Sequence, residues 1–92
     1  MIVRILEQGQ FRLGDELHGR LNELDNAVAA AVAAGDEAAF RASLDALLDF
    51  VRSSGTPVAD DELVTSDHVL PHPEITLEEA REAFAGEGAI PG

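Results

Sequence analysis

Across residues 15–53 the chain carries a nearly continuous amphipathic helical pattern, interrupted once at Gly35-Asp36. Leu17, Leu21, Leu24, Val28 and Val32 recur at spacings of four, three, four and four, the repeat of a single buried helix face. Asp15 and Glu16 occupy the first turn, where the helix dipole favours negative charge. Gly35 supplies a left-handed terminator, and Asp36 can cap a second helix whose stripe is Phe40, Leu44, Leu47, Leu48 and Val51. A two-residue break turns the second helix back along the first, so this stretch is expected to form an antiparallel helical hairpin. Ala27, Ala29, Ala30, Ala31, Ala33 and Ala34 favour helix, and those facing inward permit close backbone approach. The pattern stops at Ser53-Ser54-Gly55-Thr56-Pro57.

The flanks read differently. Met1-Ile2-Val3-Arg4-Ile5-Leu6 and Phe11-Arg12-Leu13 surround Glu7-Gln8-Gly9-Gln10, which predicts a β-hairpin. A two-stranded ribbon is marginal by itself, so a third strand around Val69-Leu70, or a partner's strand, is expected beside it. Asp60-Asp61-Glu62 reads as a solvated charge run in a connector. Leu63-Val64 and His68-Val69-Leu70 read as strands or extended straps, and Pro71 and Pro73 prevent regular structure after them. Thr76-Leu77-Glu78-Glu79 is a capping box that opens a short helix over residues 77–85. Gly86 and Gly88 are expected to end that helix, leaving Ala89-Ile90-Pro91-Gly92 as an extended tail. The fold class is therefore α+β: an N-terminal β-hairpin, an antiparallel helical hairpin and a C-terminal strap with one short helix. Ninety-two residues correspond to a single domain, 1–92. Its expected core includes Val3, Ile5, Leu17, Leu21, Leu24, Val28, Phe40, Leu44, Leu47, Val51 and Phe84. On that placement Leu24→Asp buries an unpaired charge and abolishes a cooperative melt.

Reactive side chains are scarce. There is no Cys, Trp, Tyr or Lys, and only three His. Thiolate chemistry, disulfides and sulfur-ligated zinc are excluded, and the absence of Cys suits a reducing cytosol. His68 and His72 have a spacing that would share a helix face, but Pro71 and Pro73 remove the helix, so the expectation is loop histidines and no metal. Ser66-Asp67-His68 contains the residue types of a triad, yet neighbours in an extended segment point different ways. Ser66 or Asp67 is expected to make a turn or cap through its side-chain oxygen. Gly86-Glu87-Gly88 is too short to cradle phosphate. No cofactor and no catalysis are expected.

Eighteen acidic residues against six basic ones leave a net charge of −12. Such a surface repels nucleic acid and anionic lipid, and its natural partner is a basic protein surface. Glu23 and Asp25 on the first helix, and Asp45 and Asp49 on the second, are the candidate partner-binding residues, all expected to be solvated. The charged N-terminal stretch is unlike a signal peptide, and no apolar run approaches the length of a membrane span. A cytoplasmic protein is expected, with any membrane association made through a partner. A second reading is self-association into a homodimer through an exposed strand edge.

The order of the landmarks resembles the PspA-associated (PspAA) family. The similarity runs through Met1-Ile2-Val3-Arg4-Ile5, Gly9-Gln10-Phe11, Leu24-Asp25, Ala34-Gly35-Asp36 and Phe40. It continues through Gly55-Thr56-Pro57, Asp61-Glu62-Leu63-Val64, Ser66-Asp67, Val69-Leu70-Pro71, Thr76-Leu77-Glu78-Glu79 and the ending Gly88-Ala89-Ile90-Pro91-Gly92. That resemblance implies a non-enzymatic accessory of the phage-shock envelope-stress response. It also implies binding to PspA, a coiled-coil membrane-remodelling protein, with effects on its assembly or availability. It supplies no catalytic residues.

Overall fold

The structure, a computed structural model, describes the backbone of residues 1–88 and the side chains of residues 1–82. Strands β1 (Ile2–Ile5) and β2 (Gly9–Arg12) form the expected hairpin, pairing antiparallel with Val3 opposite Phe11 and Ile5 opposite Gly9. In its turn the Gln8 amide donates to the Ile5 carbonyl at 2.9 Å, and both Glu7 (φ 70°) and Gly9 (φ 98°) are left-handed. Glycine adopts that conformation freely; glutamate does so at a steric cost.

After a 3-10 turn over Asp15–Leu17, α1 spans His18–Ala34 and α2 spans Glu37–Ser54. The reversal between them forms as its residues predict. Gly35 sits at φ 68°, with its amide on the Val32 carbonyl, and the Asp36 amide reaches the Ala31 carbonyl. The Asp36 side chain accepts from the Ala39 amide at 3.0 Å, capping α2. Phe40, Leu44, Leu47, Leu48 and Val51 are all buried, so the α2 stripe is entirely core.

The α1 stripe is less uniform. Leu21, Val28 and Val32 are buried, whereas Leu17 and Leu24 pack against the core from its partly exposed rim. Leu24 is thus not the core residue expected, and Leu24→Asp would place its charge where water can reach it.

Two further strands complete a four-stranded sheet of order β3-β2-β1-β4. The short β3 (Thr56–Pro57) continues directly from α2 and pairs antiparallel with β2. The expected third strand is β4 (His68–Leu70), which joins β1 in parallel, Val3 beside His68 and Ile5 beside Leu70. Both sheet edges are short and proline-blunted, by Pro57 within β3 and by Pro71 directly after β4.

Alternation along the strands sends Val3, Ile5, Phe11 and Leu70 toward the helices, where they join one core with Leu13, Leu44, Leu48 and Ala80. Arg4, Gln10, Arg12 and Val69 share the opposite face. Residues 58–67 cross part of that outer face and are tied to it. Gln10 donates to the Val64 carbonyl (3.0 Å) and the Ser66 hydroxyl (2.8 Å), and Arg12 pairs with Glu62. This covering explains why Ile2, an outward residue, is only 8% exposed. Within the acidic run, Asp60 and Asp61 are solvated as expected, while Glu62 is held by Arg12.

The strap over residues 71–75 is fastened to α2 by Arg41, which donates to the Pro73 carbonyl at 2.6 Å and to the Ile75 carbonyl. The capping box forms reciprocally: Thr76 amide to Glu79 carboxylate, and Glu79 amide to Thr76 hydroxyl, each 3.0 Å. It opens α3 (Leu77–Gly88), which passes through Gly86 to Gly88 instead of ending near Ala85. Glycine weakens a helix by about 1 kcal/mol without blocking it. The Phe84 side chain and the tail over residues 89–92 lie outside the described residues.

Candidate functional site

The four acidic residues singled out by sequence separate into different environments. Asp45 and Asp49 stand one helical turn apart on the exposed face of α2, as the complement of its buried stripe requires. Asp49 accepts from Arg52 at 2.8 Å, and Arg52 also reaches Gln8 in the hairpin turn. Glu23 is exposed on α1, with Arg20 4.0 Å away. Both pairs are open to solvent, where ion pairs contribute little to stability and leave the carboxylates available.

Asp25 departs from the expectation of a solvated carboxylate. Residues two apart on a helix point about 200° away from each other, so Glu23 and Asp25 cannot share a face. Asp25 turns toward β4 and is half-buried. It lines a pocket of about 90 Å³ with His18, Leu21, Asn22, His68, Val69 and Leu70. Burial raises its pKa above the ordinary carboxylate value, and the nearby His68 opposes that shift. Across the same pocket the rings of His18 and His68 approach to 5.7 Å between centroids, tilted by 40°.

The residues of the apparent triad serve the sheet instead. The Ser66 hydroxyl accepts from Gln10, and the Asp67 carboxylate accepts from the Ile2 amide at 2.7 Å while its own amide donates to the Ile2 carbonyl at 2.7 Å. His68 turns toward His18. Three neighbouring side chains therefore engage three different partners. His72 is separate again: its Nδ1 accepts from the Glu74 amide at 3.2 Å, and its Nε2 lies 3.9 Å from Glu7. Among the described residues, no group of three His, Asp or Glu side chains is arranged to hold a metal ion as it stands. No helix among them is long and apolar enough to cross a membrane.

The large hydrophobic side chains exposed among the described residues are Leu6 (43%), Leu63 (97%) and Val69 (58%). Val69 is the register partner of Arg4 on the outer sheet face, and Leu63 rides on the connector crossing that face. The exposed faces of the helical hairpin instead present alanine and carboxylate.

A family model described as PspA-Associated protein matches residues 1–92, the whole chain. The chain belongs to the PspAA family. Neither a curated protein nor a solved structure matches it. The PspAA description links the chain to the PspA system and matches the resemblance found in the sequence. Several residues that carry that resemblance prove to build the scaffold. Gly9 and Gly35 take left-handed conformations, Ser66 and Asp67 fasten the connector to the sheet, and Thr76 and Glu79 cap α3. At Gly55 a Cβ would stand 2.7 Å from the Val51 carbonyl oxygen and 2.8 Å from Leu13 Cδ1, so the close passage from α2 into β3 requires glycine.

Proposed function

We propose that this PspAA chain is a non-enzymatic, cytoplasmic adaptor that binds a PspA-type coiled-coil protein and adjusts its assembly or availability. It reaches the membrane only through that partner. The observation carrying this reading is the exposed carboxylate face of α2, Asp45 and Asp49, with Glu23 on α1, in a family associated with PspA. A rigid hairpin with small side chains between its charges suits docking along a basic helix, where charge steers the encounter and selects the partner. Asp25, half-buried beside His68, is not part of this docking face.

Size-exclusion chromatography with light scattering tests the proposal on the chain alone and mixed with the PspA homologue from the same source. A joint peak supports the adaptor; two unchanged peaks contradict it. A homodimer is the second reading, favoured by the exposed Val69 on the outer sheet face and Leu6 just beyond the end of β1. It predicts a concentration-dependent dimer of the chain alone that Leu6→Glu dissociates; a monomer at every concentration contradicts it.

A further inference from the structure

The outer sheet face is built as a step. Gln10, Arg4 and Val69 lie side by side in one register row across β2, β1 and β4. The connector covers the Gln10 end of that row, where the Val64 carbonyl and the Ser66 hydroxyl accept from Gln10, and it leaves Arg4 and Val69 exposed. A ledge over β2 thus stands beside an open floor over β1 and β4. Leu63, on the ledge, is 97% exposed; Val69, on the floor, is 58% exposed, with Leu6 at the margin just beyond the end of β1. Among the described residues Arg4 makes no ion pair, and neither do Asp60 and Asp61 in the turn of the connector. We infer that two copies of this chain pair two-fold through their outer sheet faces, Leu63 of each seating beside Val69 and Leu6 of the other while Asp60 and Asp61 meet the other copy's Arg4. This pairing rests on the homodimer reading and extends it, because it leaves the α2 face of each copy free.

A second copy fits this face in shape and in charge. Because the connector overlies only the β2 side, a two-fold axis along the strand direction turns the ledge of one copy onto the floor of the other, and both copies gain the same contacts. The chain is acidic overall, so the carboxylates of the helical hairpin repel another copy. On the outer face, by contrast, an exposed arginine adjoins apolar side chains and can be matched by the free carboxylates of the opposing ledge. The ledge is also held in advance. Glu62 pairs with Arg12, its amide donates to the Ala59 carbonyl at 3.0 Å, and Asp67 bonds Ile2 through both its amide and its carboxylate, so seating Leu63 requires little further ordering. The large apolar side chains exposed among the described residues all lie on or beside this one face, the pattern of a contact surface and not of scattered single residues. The helices pack against the other side of the sheet, so such a dimer sets its two helical hairpins outward, each with Asp45 and Asp49 open to solvent.

The test is sedimentation equilibrium of the full chain alone from about 10 µM to about 1 mM, a range suited to a contact below about 1,200 Å². The parent chain should dimerise across it. Leu63→Ser should weaken the dimer at least tenfold by removing its apolar anchor. Arg4→Asp, and separately Asp60→Arg with Asp61→Arg, should each weaken it at least tenfold by setting like charges against one another. Mixed in equal amounts, those two charge variants should pair with each other to within about threefold of the parent affinity, since every contact between them again joins opposite charges. All four side chains are exposed, so the variants should keep the melting temperature of the monomer. Should a charge variant fail to fold, the parent's concentration dependence and Leu63→Ser decide. A parent chain monomeric throughout the range overturns the pairing, the face then serving a different protein. So does a dimer that survives both Leu63→Ser and Arg4→Asp, or a mixture no tighter than its separate components. PspA is absent throughout, so loss of the dimer says nothing against docking through α2, and loss of PspA binding says nothing against the dimer.

Discussion

Asp25 shows how a single helical step changes a carboxylate's role. Glu23 faces water while Asp25 turns into the α1–β4 pocket, where burial raises its pKa. A raised folded-state value means that the fold prefers the protonated acid. This preference adds stability at acidic pH and is lost as pH rises through the raised value. Asp25→Asn, melted at neutral pH, should therefore be more stable than the parent chain. It should also lose the corresponding pH dependence below neutrality; an unchanged pH profile would show that Asp25 is solvated after all. Glu79 has the opposite sign. Its pKa is lowered by hydrogen bonds to the Thr76 backbone and side chain, so the stability it confers is present above the ordinary carboxylate value and disappears as pH falls through the lowered one. Thr76→Ala should move the Glu79 titration, followed by carbon NMR, back toward the ordinary value. Glu7, left-handed in the hairpin turn, is a third local case: Glu7→Gly should raise denaturant stability by about 0.5–1 kcal/mol by relieving its positive φ.

The elements divide by how clearly their residues mark a face. In α2 the large side chains mark the face: all five positions of its stripe are buried, and Phe50 beside them packs partly buried against the core. In α1 alanine occupies both sides, Ala31 buried and Ala30 and Ala33 exposed, so the repeat does not distinguish core from rim and Leu24 was placed too deep. Chemical hydropathy responds to alanine weakly, and packing against the sheet then decides its face. Leu44→Ala should accordingly cost about 2–5 kcal/mol in a denaturant melt, and Leu24→Ala clearly less; equal losses would contradict the rim placement. Caps were legible because they depend on side chains three residues apart, as with Asp36 on Ala39 and Thr76 with Glu79. The two-residue β3 was not legible, since Thr56-Pro57 carries no alternation and pairs only because α2 delivers it beside β2. The same passage makes Gly55→Ala destabilising, by about 1–3 kcal/mol, since its Cβ would enter occupied space between Val51 and Leu13. The spacing of His18 and Asp25 on one helix face was available in the sequence, but His68 joins them through the parallel β1–β4 pairing, which no local pattern specifies.

At the scale of the whole molecule the charge is organised as two unlike sides. One is the helical hairpin, with exposed alanine and the carboxylates Glu23, Asp45 and Asp49. The other is the outer sheet face, with Arg4 and Val69, partly overlain by the connector carrying Asp60, Asp61 and Leu63. Composition announced the acidity, but its distribution required the fold. Blunted edges at Pro57 and Pro71 discourage strand addition, leaving faces as the surfaces of recognition. The central claim, that the α2 face docks on PspA, is tested most directly by the affinity of the PspA homologue for two charge-matched variants at low and high salt. Asp45→Lys with Asp49→Lys should weaken binding by at least tenfold and flatten its salt dependence. Asp60→Lys with Asp61→Lys, an equal change of charge on the opposite side, should weaken it only slightly. Equal effects of the two pairs, or an affinity indifferent to both and to salt, would contradict docking through this face.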